Sequence, residues 1–321
     1  MTARKEWRNF TVNILSSINS MALTDPNGLI EIAEKQYDVE LNEVADRIIK
    51  NKNYKIVLLA GPSGSGKTTT AHIIKDKLIK AGKKAQVVSL DHFFLPMDKM
   101  PLQENGEKDF ESVYSLDIPE IHRCLDELIK NGRTNIPVFS FQSLSNNEKL
   151  AIDISNDGIL IIEGLHALNP ILTNELNNNN LLKIYISVNR VVTDDNGNRL
   201  LSSRQLRLIR RMSRDFLYRN TSALGTLKLW TSVVKGEEKY LYCFKNSADI
   251  KLFTFHSFEP CVFKNIIIEL LKELPKNADN YEYIMDAKKS LEKFVSIDTR
   301  LVPESSLIRE FIPGGIYETQ K

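Results

Sequence analysis

The fold of this chain is decided by the stretch Lys55-Ile-Val-Leu-Leu-Ala-Gly-Pro-Ser-Gly-Ser-Gly-Lys-Thr-Thr-Thr70. Residues 56–60 form a short apolar run that predicts a buried parallel strand. The chain then breaks at Gly61 and completes the pattern Gly-x-x-x-x-Gly-Lys-Thr of a phosphate-binding loop. Glycines let the loop fold tightly, so that successive N–H groups point at phosphate oxygens. The sequence therefore predicts that the chain binds a nucleoside triphosphate.

A helix is expected to follow this loop over residues 68–81, with apolar residues at helical spacing and Gly82 as its C-terminal cap. Its N-terminus presents the positive end of the helix dipole to the same phosphates. In this motif Lys67 reaches the outer phosphates, and the Thr68 hydroxyl is a ligand for Mg²⁺. The residues expected to hold the triphosphate are Gly61, Pro62, Ser63, Gly64, Ser65, Gly66, Lys67, Thr68 and Thr69.

Composition narrows the class of protein. A chain of 321 residues is long enough for one large α/β domain with additions, or for two domains. Its net charge of +2 offers no global field for nucleic acid or for an anionic membrane. Three widely spaced cysteines match no metal-ligand pattern and indicate a reducing compartment. No apolar run reaches membrane-spanning length and no signal-peptide core is present, so we expect a cytoplasmic protein.

Two acidic residues come at the ends of predicted strands. Asp91 follows the strand predicted over residues 85–90, and Glu163 ends the strand predicted over residues 159–164. In an open α/β sheet, ligands bind beyond the carboxyl ends of the strands. An acid there is placed to act near the γ-phosphate and to position Mg²⁺. The alternative for Asp91 is a turn cap, and the nearby His166 is better explained as structural.

The second informative stretch is residues 199–219, which has the spacing of an amphipathic helix. Five arginines fall on one of its faces, and Asp215 is the only acid within the helix that could pair with them. Like charges on one helix face repel each other unless an anion joins them. Because arginine forks suit phosphate oxygens, we interpret this face as a phosphate clamp on a mobile lid. The five arginines are Arg204, Arg207, Arg210, Arg211 and Arg214.

The remaining patterns place further elements around these motifs. Residues 135–141 alternate like a strand, with Phe139 and Phe141 on one face, where they either pack in the core or sandwich a flat ring. Residues 302–311 carry enough apolar side chains to pack on the core. Helices are predicted over residues 29–37, 41–49, 118–131, 222–234, 263–274 and 281–295, and strands over residues 181–188 and 248–253.

Together these residues resemble the uridine kinase and phosphoribulokinase family of P-loop kinases. The similarity is closest to a longer bacterial type of uridine kinase-like protein, without the further amino-terminal half which that type usually has. The stretches that carry it, besides the phosphate loop, are Ser89-Leu-Asp-His-Phe-Phe94, Asp109-Phe-Glu111, Ile162-Glu-Gly-Leu-His-Ala-Leu168 and Arg207-Leu-Ile-Arg-Arg-Met-Ser-Arg-Asp215.

The resemblance implies a role for each matching residue. Asp91 corresponds to the acid that takes the proton of the acceptor hydroxyl and lies near Mg²⁺. Thr68 and Glu163 correspond to the rest of the Mg²⁺ shell, and Glu111 to an acid that holds the acceptor sugar. The implied catalytic residues are Asp91, Lys67, Arg210 and Arg214, and the implied acceptor-binding residues are Glu111, Phe139, Phe141 and Arg219.

Two stretches differ from the family pattern. Its pyrimidine kinases usually have Tyr-Asp-Phe and then a His beside the base, whereas this chain has Phe139-Ser-Phe-Gln-Ser-Leu144. The lid usually has Arg-Gly-Arg, and here the sequence is Arg219-Asn-Thr221. Two polar groups that would contact the base are therefore missing. We expect uridine and cytidine to be accepted without a sharp preference between them.

These observations predict an α/β protein with the P-loop NTPase fold, in which a mostly parallel sheet is flanked by helices. Residues 1–50 are expected to form an N-terminal helical segment, residues 51–275 the kinase domain, with its arginine-rich lid at residues 199–236, and residues 276–321 a C-terminal helical tail. The expected activity is transfer of the γ-phosphoryl group of ATP, with Mg²⁺, to a hydroxyl of a small nucleoside-like acceptor.

Two alternatives remain open from the sequence. One is a kinase of the same fold that acts on a sugar phosphate or a pantothenate-like alcohol. The other is a nucleotide-binding regulatory switch with little kinase activity. Retention of Asp91 beside Lys67 and Glu163 favours an enzyme, because a pure binder has little use for a base. Neither the acceptor nor a homo-oligomeric state is determined by the sequence.

Overall fold

A computed structural model describes residues 13–103, 106–140, 145–155, 157–173, 176–189 and 191–317. The strands are β1 (Ile56–Ala60), β2 (Ala85–Ser89), β3 (Arg133–Ser140), β4 (Ser145–Asp153), β5 (Ile159–Glu163), β6 (Leu181–Ser187), β7 (Val192–Thr193), β8 (Arg199–Leu201) and β9 (Ile250–Phe253). Five of them form one parallel sheet in the order β2-β5-β1-β6-β9. Two antiparallel pairs, β3 with β4 and β7 with β8, lie outside it.

The helices flank this sheet. Within the described ranges they are α1 (Leu15–Thr24), α2 (Pro26–Lys50), α3 (Lys67–Lys80), α4 (Ile118–Asn131), α5 (Ser203–Arg219), α6 (Ala223–Tyr240), α7 (Glu259–Leu270) and α8 (Tyr281–Leu291). A mostly parallel sheet flanked by helices is the predicted fold class, which is therefore confirmed.

The sheet divides the interior into two hydrophobic cores. Strand β1 shows why: Ile56 and Leu58 face one core while Val57 and Leu59 face the other, because successive side chains of a strand point to opposite faces. The α3 core contains apolar side chains of α1, α2, α3, α5, α6, α7, α8 and residues 302–312. The α4 core contains those of α4, β3, β4 and residues 93–116. A strand covered on both faces must be apolar throughout, as β1 is.

Several elements have the predicted position. Strand β1 spans the predicted residues, and α4 ends at Asn131 before Gly132, which has φ +70°. The helix after the phosphate loop, α3, ends at Lys80, and Gly82 follows with φ +79°. A glycine with positive φ is the common way to end a helix, so these helix ends were readable from local sequence.

Other boundaries differ. The first residues of the predicted arginine helix, Arg199–Leu201, form strand β8, and the helix begins only after Ser202, whose side chain and that of Gln205 cap it reciprocally. Helix α6 continues past the predicted end at residue 234 to Tyr240. Strand β4 was not predicted, because Ser145-Asn-Asn-Glu-Lys carries no apolar alternation and is held by pairing with β3.

The segments before and after the predicted kinase domain pack onto the same α3 core. Residues of α2, such as Leu29 and Leu41, are buried there, as are Leu307, Ile308 and Phe311. The prediction that the tail packs on the core is therefore confirmed, while the domain boundaries stay a prediction. No helix in the described residues is both long enough and apolar enough to cross a bilayer.

Candidate active site

The phosphate-binding loop joins β1 to α3. Gly64 and Gly66 have φ +73° and +86°, in the left-handed region where glycine is favoured. Added Cβ atoms would also lie 2.6 Å from the Arg207 carbonyl oxygen at Gly64 and 2.7 Å from Leu307 Cδ1 at Gly66. The loop conformation and its close neighbours therefore both require these glycines. The Lys67 ammonium donates to the Pro62 carbonyl at 3.3 Å, across the loop.

The predicted metal ligands come from neighbouring elements. The Thr68 hydroxyl donates to Glu163 Oε1 at 3.3 Å, and Glu163 lies directly opposite Ser89, the last residue of β2. Burial raises the pKa of Glu163 to about 7, while the Lys67 charge acts in the opposite direction. Asp91 follows β2 in a 3-10 turn and is exposed. The side chains of Lys67, Thr68, Asp91 and Glu163 line one cleft of about 930 Å³.

The acceptor residues have mixed outcomes. Glu111 lines the cleft, and burial raises its pKa to about 7, against the opposing charge of Arg211. Phe139 is 5% exposed and packs edge to face against Phe94 in the α4 core. It is not one of the described residues that line the cleft. This corrects the expectation that Phe139 flanks the acceptor. Phe141 lies outside the described residues.

Aromatic side chains do line the cleft, from a segment for which the sequence suggested no aromatic role. Phe94 and Phe110 meet edge to face with ring centroids 5.9 Å apart, and both line the cleft. Phe110 is 36% exposed, so part of its surface is available to a ligand. Both residues lie in stretches quoted above for the resemblance, but their sequence pattern contains no signal that separates a cleft aromatic from a core aromatic.

Apart from Arg204, which forms an exposed ion pair with Glu238 at 2.9 Å, the arginines of α5 divide into two groups. The first group is structural. Arg207 pairs with Glu237 of α6 at 2.6 Å, and Arg210 pairs with Glu259 of α7 at 2.6 Å. Arg210 is fully buried and also donates to the Thr254 carbonyl. The prediction that Arg210 clamps phosphate is therefore corrected: its anion is a glutamate distant in sequence. Asp215 is the only acid within this helix, as the sequence indicates, but Arg207 and Arg210 pair with acids of other helices.

The two structural arginines and Glu237 also form hydrogen bonds with the backbone of the phosphate-binding loop. The Ser63 N–H donates to Glu237 Oε1 at 2.8 Å, and Arg207 donates to the Ser63 carbonyl at 2.9 Å. Arg210 donates to the Gly64 carbonyl at 3.3 Å. Helix α5 cannot swing as one body without breaking these buried pairs, which is costly. The structure thus disfavours movement of the whole of residues 199–236 as a lid.

The second group is a cluster of three arginines around one acid. Arg211, Arg214 and Arg219 each lie within 4 Å of Asp215, at 3.1, 2.9 and 3.6 Å, and all three line the cleft. Arg211 also donates to the Ser63 hydroxyl at 2.8 Å. Three cations share one carboxylate, so the cluster retains positive charge facing the cleft. The Arg214 charge, followed by burial, lowers the pKa of Arg219 to about 10.

Glu237 and Gly236 are residues that sequence reasoning missed. Glu237 is fully buried between Arg207 and the phosphate loop. An added Cβ at Gly236 would lie 2.4 Å from the Glu111 Cβ. One turn of α6 thus contacts both the donor loop and the predicted acceptor acid. Glu237 and Gly236 were missed because the helix was predicted to end at residue 234, whereas α6 continues to Tyr240 and carries both positions.

Comparison with known proteins agrees with this geometry. A model of the Phosphoribulokinase / Uridine kinase family matches residues 56–256, which is more than half of the chain. The chain therefore belongs to this family. The matched residues include the phosphate loop, both strand-end acids and the arginine cluster, whereas residues 257–321 lie outside the match.

Individual relatives are more distant. The uridine kinase of Saccharomyces cerevisiae is 30% identical over 183 residues, which are 56% of this chain and 32% of the yeast protein. The uridine kinase of Limosilactobacillus reuteri is 24% identical over 59% of this chain and 77% of its own length. Among solved structures, D-glycerate 3-kinase from Cryptococcus neoformans var. grubii is 14% identical, with a TM-score of 0.47 over 64% of this chain and 89% of that chain. This chain thus spans about a third of the yeast protein that it matches.

Proposed function

We propose that the protein is an ATP-dependent phosphotransferase that moves the γ-phosphoryl group to a hydroxyl of a nucleoside-like acceptor. One observation carries the proposal: Lys67, Thr68, Glu163, Asp91 and the arginine cluster line the same cleft. A nucleotide-binding switch needs the phosphate loop, but an exposed acid opposite that loop serves transfer chemistry.

The donor would be held by the loop and the cluster. The backbone N–H groups of residues 64–69 and the Lys67 ammonium suit the triphosphate. Arg211 and Arg214 face the same cleft, and their excess charge suits the charge that spreads over the transferred group. We therefore keep Arg214 as a catalytic candidate and replace Arg210 by Arg211.

The site fits a magnesium ion. Mg²⁺ commonly binds through one or two carboxylates together with substrate phosphates. Thr68 and Glu163 are already in contact, and Asp91 lines the same cleft. No group of three or more His, Cys, Asp or Glu side chains in the described ranges could hold a metal alone, so phosphate oxygens would complete the shell. When bound, the ion neutralises charge on those oxygens.

In the proposed transfer step, Asp91 accepts the proton of the acceptor hydroxyl. The acceptor oxygen forms a bond to the γ-phosphorus, while the bond from that phosphorus to the bridging oxygen of ADP breaks. The proton of the acceptor hydroxyl moves to the Asp91 carboxylate. An exposed carboxylate at the carboxyl end of β2 is accessible to such a hydroxyl.

The acceptor we favour is a nucleoside, on the strength of the relatives' names and of two contacts. The part-exposed ring of Phe110 offers a stacking surface, and Glu111 offers a carboxylate for ribose hydroxyls. Stacking contributes roughly 1–3 kcal/mol per base but discriminates poorly between bases. We therefore propose weak selectivity between uridine and cytidine.

A second acceptor class is favoured by a specific observation. Lys108, Lys228 and Lys235 line the cleft in addition to Lys67 and the arginine cluster. This basic lining suits an acceptor that itself carries a phosphate or carboxylate, such as a sugar phosphate. The homologue names and this lining point to different acceptors, and kinetics decides between them.

The test is ADP release over uridine, cytidine, guanosine, ribose and a sugar phosphate. We expect turnover with the pyrimidine nucleosides, and its loss in Lys67→Ala. The exposed Lys80→Ala on the same helix is the matched control and should retain turnover. Activity only on the sugar phosphate would move the assignment to the second class, and nucleotide binding without turnover on any acceptor would reject the enzyme.

A further inference from the structure

Residues 302–312, which we call the tail segment, pack against the phosphate-binding loop from outside the family match. Leu307, Ile308, Phe311 and Ile312 in this segment have no exposed surface. Leu307 lies so close to Gly66 that an added Cβ would be 2.7 Å from Leu307 Cδ1, and one of the two would have to move. The tail segment is therefore a neighbour of the donor site.

Glu310 is the residue of this segment that reaches the donor site itself. The Thr69 N–H donates to Glu310 Oε2 at 3.2 Å, and Glu310 lines the cleft together with Gly66, Lys67 and Thr68. Glu310 is only 6% exposed. A carboxylate at this position is an anion bound to the first turn of α3.

The first turn of α3 is where a donor phosphate would bind. The first N–H groups of a helix have no partner within the helix, and together with the dipole they attract phosphate oxygens. A carboxylate oxygen and a phosphate oxygen cannot both accept the same Thr69 N–H at full strength. The negative charge of Glu310 also repels a phosphate placed beside it.

Contacts on the opposite side hold the tail segment in this position. The Ser213 hydroxyl donates to the Phe311 carbonyl at 2.6 Å, and the Tyr218 hydroxyl donates to the Ile312 carbonyl at 3.0 Å. The Arg210 guanidinium lies over the Phe311 ring at 5.2 Å. These contacts all come from α5, the helix that carries the arginine cluster, so the tail segment bridges α3 and α5.

We propose that Glu310 competes with a donor phosphate for the first turn of α3, so that nucleotide binding displaces its carboxylate and the tail segment sets the affinity for nucleotide. This inference rests on the proposed donor site and adds an internal competitor to it. The competitor is covalently attached, so it acts at every protein concentration. The affinity of the parent chain for nucleotide is then lower than that of the same chain without the Glu310 carboxylate.

The test measures nucleotide binding apart from turnover. We would titrate the full chain with Mg²⁺ and a non-hydrolysable ATP analogue, and compare Glu310→Gln with Glu304→Gln. Glu304 is an exposed acid close to the tail segment's start and serves as the control. We expect the dissociation constant of Glu310→Gln to fall about tenfold, the equivalent of roughly 1.4 kcal/mol, and that of Glu304→Gln to stay unchanged.

A second measurement needs no substitution. Amide hydrogen exchange of the parent protein reports local opening of a segment. We expect amides of residues 304–312 to exchange faster when the analogue is bound, since their anchor at Thr69 is lost. Unchanged or greater protection in this segment at saturation would overturn the proposal, as would an unchanged or weaker affinity of Glu310→Gln.

The outcomes separate this inference from the proposed function. Tighter analogue binding by Glu310→Gln without turnover on any acceptor supports the competitor and rejects the kinase. Normal turnover with unchanged affinity supports the kinase and rejects the competitor. If neither the parent nor Glu310→Gln binds the analogue, the phosphate loop is not a donor site and the competitor falls with it.

Discussion

At the scale of single residues, Asp91 is the proposed base, and its substitution should separate phosphate transfer from nucleotide binding. We expect Asp91→Asn to bind Mg²⁺ and ATP but to lose roughly 10²–10⁴-fold in turnover, because an amide cannot take the acceptor proton. Asp98→Asn, an exposed acid in the following loop, is the control and should keep parental turnover. Steady-state kinetics with a separate nucleotide titration gives the answer. Transfer by Asp91→Asn within a few-fold of the parent would reduce Asp91 to a turn cap.

The two groups of arginines predict opposite effects. Arg210→Ala leaves Glu259 buried without its partner, which costs roughly 3–5 kcal/mol of unfolding free energy. Arg214→Ala removes a charge that lines the cleft, but Asp215 keeps Arg211 and Arg219 as partners. We therefore expect lower turnover with a smaller loss of stability than in Arg210→Ala. Urea unfolding and kinetics on both variants check the division. A stable Arg210→Ala that has lost turnover would restore Arg210 to the clamp.

Arg210 also shows where sequence reasoning stops. The spacing of the arginines was sufficient to predict one basic face, since helical periodicity is local. The carboxylates of Glu237 and Glu259, which pair with two of the five arginines, lie on other helices, 30 and 49 residues away from those partners. Nothing in a single sequence indicates which distant acid will meet a given arginine. Glu310 was missed for the same reason, since Thr69 lies 241 residues before it.

At the scale of elements, α6 contacts both the phosphate-binding loop and Glu111, the proposed acceptor acid. The Cβ of Gly236→Ala would lie 2.4 Å from the Glu111 Cβ, so either Glu111 or the helix must move. We expect a raised KM for the acceptor, with nucleotide affinity changed far less. Gly225→Ala on the same helix is the matched control, because its Cβ would lie 2.9 Å from the Thr221 methyl and 3.6 Å from the Ser222 hydroxyl, neither of which lines the cleft. Equal kinetics for the two variants would exclude a role of this contact in acceptor binding.

Elements differ in how far local sequence determines them. Strand β1, the loop and α3 carry an apolar run, the glycines that the loop requires and helical spacing, so all three were predictable. Strand β4 has a polar first half and depends on pairing with β3, a tertiary contact. The placement of Phe139 behind Phe94 likewise depends on how the hairpin packs against residues 93–116. Tertiary contacts therefore decide what local patterns leave open.

At the scale of the whole molecule, Glu34 couples the tail to the N-terminal helices. It lies on α2, accepts from the Ser306 hydroxyl, and has His256 Nε2 at 3.7 Å. Burial raises its pKa from 4.5 to about 7, with the Ser306 hydrogen bond opposing this shift and Asp38 adding to it. Between about pH 4.5 and about pH 7, Glu34 therefore keeps a proton in the folded protein that it has lost in the unfolded chain.

The sign of the pH effect follows. The stability that protonated Glu34 contributes is fully present below about pH 4.5 and is lost as the pH rises through about 7. The loss amounts to at most about 3 kcal/mol. The free energy of unfolding in urea should change less for Glu34→Gln than for the parent protein between about pH 5 and about pH 8. The exposed Glu31→Gln on the same helix is the control and should follow the parent.

The sheet that separates the two cores has a consequence for redesign. The contacts that shape the phosphate-binding loop come largely from the α3 core, whereas Phe94, which lines the cleft, belongs to the α4 core. Libraries confined to the α4 side would test whether the acceptor of the proposed transfer can be changed while the phosphate-binding loop stays intact. Gly236 is the position to leave untouched in such libraries, because it contacts Glu111 from the helix that also holds the donor loop. Directed evolution of the proposed acceptor range can therefore be confined to residues on one side of the sheet.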